Sequence, residues 1–122
     1  MLALFEQYPL LMEDLPYVSF GDFPTSVEKL RRPGQTIGAP RLYVKRDDLS
    51  AKLYGSNKIR ALEFLFGDAI HEGHKQVSAF GFPASRLALA QAIYAREPGL
   101  QSTAFVFHQT QSQQACQNFT PR

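Results

Sequence analysis

Lys58 and Arg60 stand where an amphipathic helix is expected to begin, in the run Tyr54-Gly55-Ser56-Asn57-Lys58-Ile59-Arg60. Apolar residues at Ile59, Leu62, Leu65, Phe66, Ala69 and Ile70 recur at helical spacing and predict one buried face. Ser56 or Asn57 can cap that helix by accepting a hydrogen bond from its first N–H groups. The two cations then fall in the first turn, where the helix dipole repels positive charge and acidic residues are usual. An uncharged lysine amine is the form that attacks a carbonyl to make a Schiff base, and unbonded N–H groups at a helix mouth suit an anion such as phosphate. The plain alternative is that both side chains extend into water.

Other residues with chemical potential are fewer. The segment Gly81-Phe82-Pro83-Ala84-Ser85-Arg86-Leu87 follows an expected strand and precedes an expected helix, the place where ligands of parallel sheets bind. Ser85 there is a candidate polar group or an ordinary helix cap. Tyr43, Tyr54 and Tyr94 read as core or rim aromatics, and of the three Tyr54, just ahead of the lysine, has the best claim to line a pocket. His71 and His74 lie three apart across a helix end, with Cys116 remote, so no zinc-ligand spacing is formed and no metal site is expected. His71 suits the negative end of its helix. Neither a Gly-x-Ser-x-Gly elbow nor a nucleophilic triad is visible.

The elements that must position these residues can be laid out along the chain. Residues 1–40 carry prolines at 9, 16, 24, 33 and 40 and read as an irregular wrap, with a short helix near Ser26–Leu30 capped by Thr25 or Ser26. Residues 41–108 form the α/β part. Arg41–Lys45 is an expected strand, Arg46-Asp47-Asp48 a charged turn with local ion pairs, and residues 57–71 a helix stopped by Gly73. Gln76–Gly81 and Ser102–Phe107 are expected strands, with a helix over Ala84–Arg96 between them. The run Ala104-Phe105-Val106-Phe107 is typical of a strand covered on both faces. Strand, helix and strand at this spacing predict a right-handed parallel βαβ unit, hence an α/β fold with a partial parallel sheet. Residues 109–122 are a glutamine-rich tail without apolar periodicity.

Three stretches taken together resemble one family. Leu42-Tyr43-Val44-Lys45-Arg46-Asp47-Asp48-Leu49, Tyr54-Gly55-Ser56-Asn57-Lys58-Ile59-Arg60 and Leu62-Glu63-Phe64-Leu65 match the pattern KRDD, spacer, GGNK-x-R-K-LEFL. That pattern is similar to the pyridoxal-phosphate enzymes that include D-cysteine desulfhydrase and 1-aminocyclopropane-1-carboxylate deaminase, of the tryptophan synthase beta-like fold. Phe23-Pro24-Thr25-Ser26-Val27-Glu28-Lys29-Leu30 likewise resembles the family's FPTP-x-ERL. The departures are Ser56 for the second glycine, Ala61 for the second basic residue and Ser26 for proline. The resemblance implies pyridoxal phosphate as cofactor, held by Lys58 as a Schiff base with Asn57 beside it, and catalytic roles for Lys58 and Ser85. It also implies that Arg86 stands where an asparagine holds the cofactor ring's phenolic oxygen, and Leu87 where a histidine or glutamine stands.

Size and charge bound the reading. The chain has 122 residues, whereas members of the resembled family have two domains with the cofactor between them. The expectation is therefore a truncated piece of that fold, a fragment of an enzyme acting on a small amino acid and inactive alone. The alternative is a cofactor-free remnant or interaction module. A net charge of +2, from 13 basic and 11 acidic side chains, points away from a nucleic-acid surface. No apolar run is long enough to span a membrane, no signal peptide is visible at the start, and a single cysteine fits a reducing compartment. A cytoplasmic protein prone to self-association through residues 102–108 is the resulting expectation.

Overall fold

The computed structural model describes residues 2–110 together with Gln113. Most of the glutamine-rich tail, including Cys116, lies outside the described residues.

Two short helices, α1 (Ala3–Gln7) and α2 (Leu11–Asp14), open the chain. Strand β1 (Val27–Lys29), helix α3 (Arg31–Thr36) and strand β2 (Tyr43–Lys45) follow. Strands β1 and β2 pair antiparallel, with Glu28 opposite Val44. The helix expected near Ser26–Leu30 is thus a strand. Its backbone groups find partners across the sheet, and the Glu28 carboxylate receives Arg46 Nη1 at 2.7 Å instead of favouring a helix start. Thr25 caps nothing, because its hydroxyl donates to Asp47 Oδ1 at 3.0 Å. Helix α3 begins only after Leu30 and carries Pro33 in its first turn, where the missing N–H costs no helical bond. The strand expected from Arg41 is shorter, starting at Tyr43, and it belongs to this antiparallel pair and not to the parallel sheet.

A 3-10 turn over Asp47–Leu49 leads to α4 (Ile59–His71), β3 (Gln76–Gly81), α5 (Arg86–Tyr94) and β4 (Gln101–Val106). Gly73, at φ 75°, ends α4 in the left-handed conformation that glycine adopts without strain. Strands β3 and β4 pair parallel, Gln76 with Gln101 through Gly81 with Val106, with α5 as the crossover. The expected βαβ unit is present, in an α/β fold.

The core lies between α4 and α5. Ile59, Leu62 and Phe66 from α4 meet Ala90, Tyr94, Ala95 and Leu100, all buried. Phe20 from the N-terminal wrap packs edge-on against Phe66, with ring centroids 5.6 Å apart. Two residues of the expected apolar face, Leu65 and Ile70, are exposed instead. Their place on the buried side is taken by Glu63, which is fully buried. Its Oε1 accepts the N–H groups of Phe20 and Gly21 at 2.9 and 2.8 Å, so a carboxylate ties the wrap to α4.

Strand β4 departs from its expected double cover. Helix α5 packs on one face of the β3–β4 pair, where Gln91 Nε2 donates to Val77 O and Ser102 Oγ. The other face carries Phe80 and Phe105, stacked 4.9 Å apart and both more than half exposed. No helix among the described residues is long and apolar enough to cross a membrane.

Candidate functional site

The lysine loop is built on the turn that precedes it. Residues Asp47 to Ser50 form a platform with three points of attachment. Arg60 Nη2 donates to Asp47 Oδ1 at 2.9 Å and lies near Thr25 Oγ1 at 3.3 Å, which joins the platform to the first turn of α4. The guanidinium carbon sits 4.1 Å from the Phe23 ring centroid, a cation–π contact. The guanidinium of Arg60, followed by the Thr25 hydroxyl, holds the Asp47 carboxyl below its ordinary value despite the opposing effect of burial. The Lys45 ammonium also reaches the Thr25 carbonyl. Arg60 is therefore engaged by the fold and does not extend freely into water. Of the expected local ion pairs, Arg46 with Asp48 is present at 2.7 Å, while Asp47 turns inward.

At the second attachment, Gly55 lies against the Asp48 carbonyl so closely that a Cβ would come within 1.9 Å of its oxygen. Only glycine permits that approach. The third is Ser50, fully buried, whose hydroxyl donates to Ser56 O and accepts from Ser56 N–H, each at 2.9 Å. Ser56 Oγ in turn accepts the Lys58 N–H at 3.2 Å. Lys58 is itself the residue that precedes α4, and among the described residues no side chain caps the first turn, so the expected cap by Ser56 or Asn57 becomes a bond that holds Lys58 just ahead of the helix. Asn57 is exposed and Lys58 half-buried at the mouth of α4.

That mouth offers less to an anion than its sequence predicts. The N–H of Ile59 bonds to Ser56 O, and those of Ala61 and Leu62 bond to Lys58 O, at 3.0–3.3 Å. These tight bonds close the first turn on itself.

Ser85 lies at the start of α5, in the extended conformation of a helix cap, and its Oγ accepts the Ala88 N–H at 3.4 Å. It also borders an apolar cavity of about 130 Å³ with Pro83, Leu89, Ala104 and Val106. Arg86 is exposed, and Leu87 packs against the α4–α5 core. Helix α5 carries Ser85 at its start and, nine residues on, Tyr94, whose hydroxyl reaches Tyr54 in the lysine loop. At 1.5 Å rise per residue these two points are about 14 Å apart along the helix. The hydrogen bonds of Lys58 and Ser85 do not link the two residues directly; α5 is their common support.

The sequence profile of the family described as "Pyridoxal-phosphate dependent enzyme" matches residues 18–119. This chain belongs to the pyridoxal-phosphate-dependent enzyme family. A 1-aminocyclopropane-1-carboxylate deaminase from Methylobacterium sp. is 37% identical over 99 residues, covering 79% of this chain and 26% of that protein. A D-cysteine desulfhydrase from Salmonella typhimurium is 35% identical over 91 residues, covering 75% of this chain and 27% of that protein. A crystal structure described as an ACC deaminase homologue superposes with a TM-score of 0.76 at 32% identity, covering 89% of this chain and 32% of the other. The chain thus spans about a quarter of the length of the curated relatives it matches, 26–27% for these two. The parallel β3–β4 unit is part of that larger α/β fold.

The family's cofactor can be tested against the residues present. A half-buried lysine on a loop fixed at three points suits attachment of pyridoxal phosphate at Lys58. Arg86 offers only donors where an amide could both donate and accept, and Leu87 is occupied by the core. Ser50, Glu63, Gln91 and Tyr94 organise the lysine loop and its supports. Tyr94 is the core aromatic that its sequence suggests, with a hydroxyl role that sequence reasoning does not reach, whereas Ser50, Glu63 and Gln91 are not singled out by it. Glu63 alone left a signal, as an acidic residue between Leu62 and Phe64 within an apolar helix.

Proposed function

We propose that this chain is the lysine-bearing portion of a pyridoxal-phosphate enzyme acting on a small amino acid, of the D-cysteine desulfhydrase or 1-aminocyclopropane-1-carboxylate deaminase type. The observation that carries this reading is the position of Lys58, half-buried at the mouth of α4 with its backbone N–H fixed by Ser56. Bound pyridoxal phosphate supplies an electron sink for the substrate carbon that carries the amino group. Lys58 holds the cofactor through its amine and is the group that moves a proton. Asn57 lies beside it on the solvent side. Ser85 Oγ accepts the Ala88 N–H, a bond that leaves its own hydroxyl proton unspent. Turnover by the chain alone is not expected, because Arg86 and Leu87 supply neither the amide nor the polar side chain of the resembled pattern. The packing of Leu87 into the core favours, as a second reading, a module that keeps the sheet without the chemistry.

Borohydride reduction of the purified chain mixed with pyridoxal phosphate, followed by peptide mapping, separates the two. The proposal expects label concentrated at Lys58 and a visible absorbance band before reduction. Label spread evenly over exposed lysines such as Lys29, Lys52 and Lys75 supports the second reading instead.

A further inference from the structure

Two hydroxyl groups on different elements grip the lysine loop in the same way. Tyr94 Oη, on α5, accepts the Tyr54 N–H at 3.1 Å and donates to the Tyr54 carbonyl at 3.2 Å. Ser50 Oγ makes the same pair of bonds to Ser56, at 2.9 Å each. Gly55 lies between the two gripped residues and is pressed onto the Asp48 carbonyl. Both hydroxyls are buried, Ser50 fully and Tyr94 at 2% exposure. Water therefore does not compete for these bonds, and a backbone group that lost its partner there would be left unsatisfied. The order of contacts continues to the lysine, because Ser56 Oγ accepts the Lys58 N–H. A loop of three residues with both its ends bonded on N–H and C=O has little backbone freedom left.

We propose that Ser50 and Tyr94 are positioning residues that fix Lys58 through the backbone of residues 54–56. Neither side chain need touch cofactor or substrate; each acts on the loop. The proposal rests on the reading of Lys58 as the cofactor-bearing lysine, but its structural half can be tested without the cofactor. Tyr94 carries a second consequence. It sits on the helix that begins with Ser85, so its bond to Tyr54 sets the lysine loop in register with the segment bearing the serine.

The test uses the full chain with Tyr94→Phe, Ser50→Ala and the pair, all of which keep nearly the same side-chain volume. Amide hydrogen exchange is read at Tyr54 and Ser56, with Ala79 in β3 as a reference for global stability. Pyridoxal phosphate with borohydride is titrated, and labelling at Lys58 is compared with that at exposed Lys75. Exchange should rise at Tyr54 in Tyr94→Phe and at Ser56 in Ser50→Ala, with Ala79 unchanged. The cofactor concentration for half-labelling of Lys58 should rise about two- to tenfold per variant, the effect of losing hydrogen bonds of ordinary net strength. Lys75 should not respond. Faster exchange with unchanged Lys58 labelling would overturn the positioning role, and unchanged exchange would overturn the clamp itself. If the unmodified chain shows no preference for Lys58, the proposed function fails separately. Reductive methylation with formaldehyde then reads the ratio of Lys58 to Lys75 reactivity, and a ratio unmoved by either variant overturns the inference. Should a variant melt before exchange can be read, the other carries the same comparison, because the two clamps lie on different elements.

Discussion

Arg60 carries its charge in the first turn of α4, where the helix dipole opposes a cation by about 0.3–1 kcal/mol. The Asp47 carboxylate and the Phe23 ring offset that cost locally. The exchange also determines how the region responds to pH. Asp47 has its carboxyl pulled down chiefly by Arg60, so the folded chain holds it ionised more firmly than the unfolded chain does. Its contribution is present above the unfolded value of about 3.9 and is lost as pH falls through the folded value. Because the Arg60 and Asp47 side chains are 40% and 27% exposed, solvent limits the pair to about 1 kcal/mol or less. Asp47→Asn should therefore lower stability modestly at pH 7 in urea titrations, and the gap from the parent should close as pH drops below about 4. A gap that persists unchanged at low pH would show that packing, not charge, is the role of this residue. Asp48, held low by Arg46 at the surface, is the control that should show a smaller effect at every pH.

At the scale of elements, the parts legible in the sequence are those in which local pattern and tertiary environment agree. Helix α4, its glycine stop, and the β3–α5–β4 unit have periodicity, capping and length all pointing one way. The Ser26–Leu30 segment was not legible. Its polar residues fit a helix start, but the partner strand at Tyr43–Lys45 lies fourteen or more residues away and no local signal announces the pairing. The inward turn of Glu63 is hidden for the same reason, since its partners are the backbone N–H groups of Phe20 and Gly21. For the site, residue types identified Lys58 and Ser85 as candidates, but not the two hydroxyls that grip the loop. Serine and tyrosine at positions 50 and 94 are ordinary until folding brings them to Ser56 and Tyr54. The start of α5 yields a prediction of its own. Replacing exposed Arg86 with Asn restores an amide to the loop and should lower the pyridoxal phosphate concentration needed to label Lys58 by about two- to tenfold. Leu87→His should act differently, lowering the melting temperature because Leu87 packs on the core. An Arg86→Asn variant with unchanged labelling would mean that this loop does not face the cofactor.

For the whole molecule, the decisive asymmetry is that of the β3–β4 pair. Helix α5 covers one face and seals it with Gln91. The opposite face presents Phe80 stacked on Phe105, followed two residues on by Phe82 and Phe107, whose ring centroids lie 6.0 Å from each other, and all four are more than half exposed. Aromatic side chains bury large apolar areas when covered, and both outer edges of a two-stranded sheet also offer unpaired backbone groups. Among the described residues no element supplies that cover. A second copy of the chain can, because Phe80 and Phe105 on one molecule find the same stacked pair on the other, a self-complementary contact of the kind that closes a two-fold dimer. The isolated chain is expected to self-associate through residues 102–108 over a concentration series followed by size-exclusion chromatography with light scattering. Phe105→Lys places a charge at the centre of the stack and should shift the population to monomer without changing the cofactor labelling of Lys58, because the substitution lies on the sheet face away from α5. A sharply melting monomer at all concentrations would mean that the aromatic face is satisfied within one chain. If Phe105→Lys associates as strongly as the parent, the contact runs through the strand edges, and substitution should move to the backbone-pairing positions there.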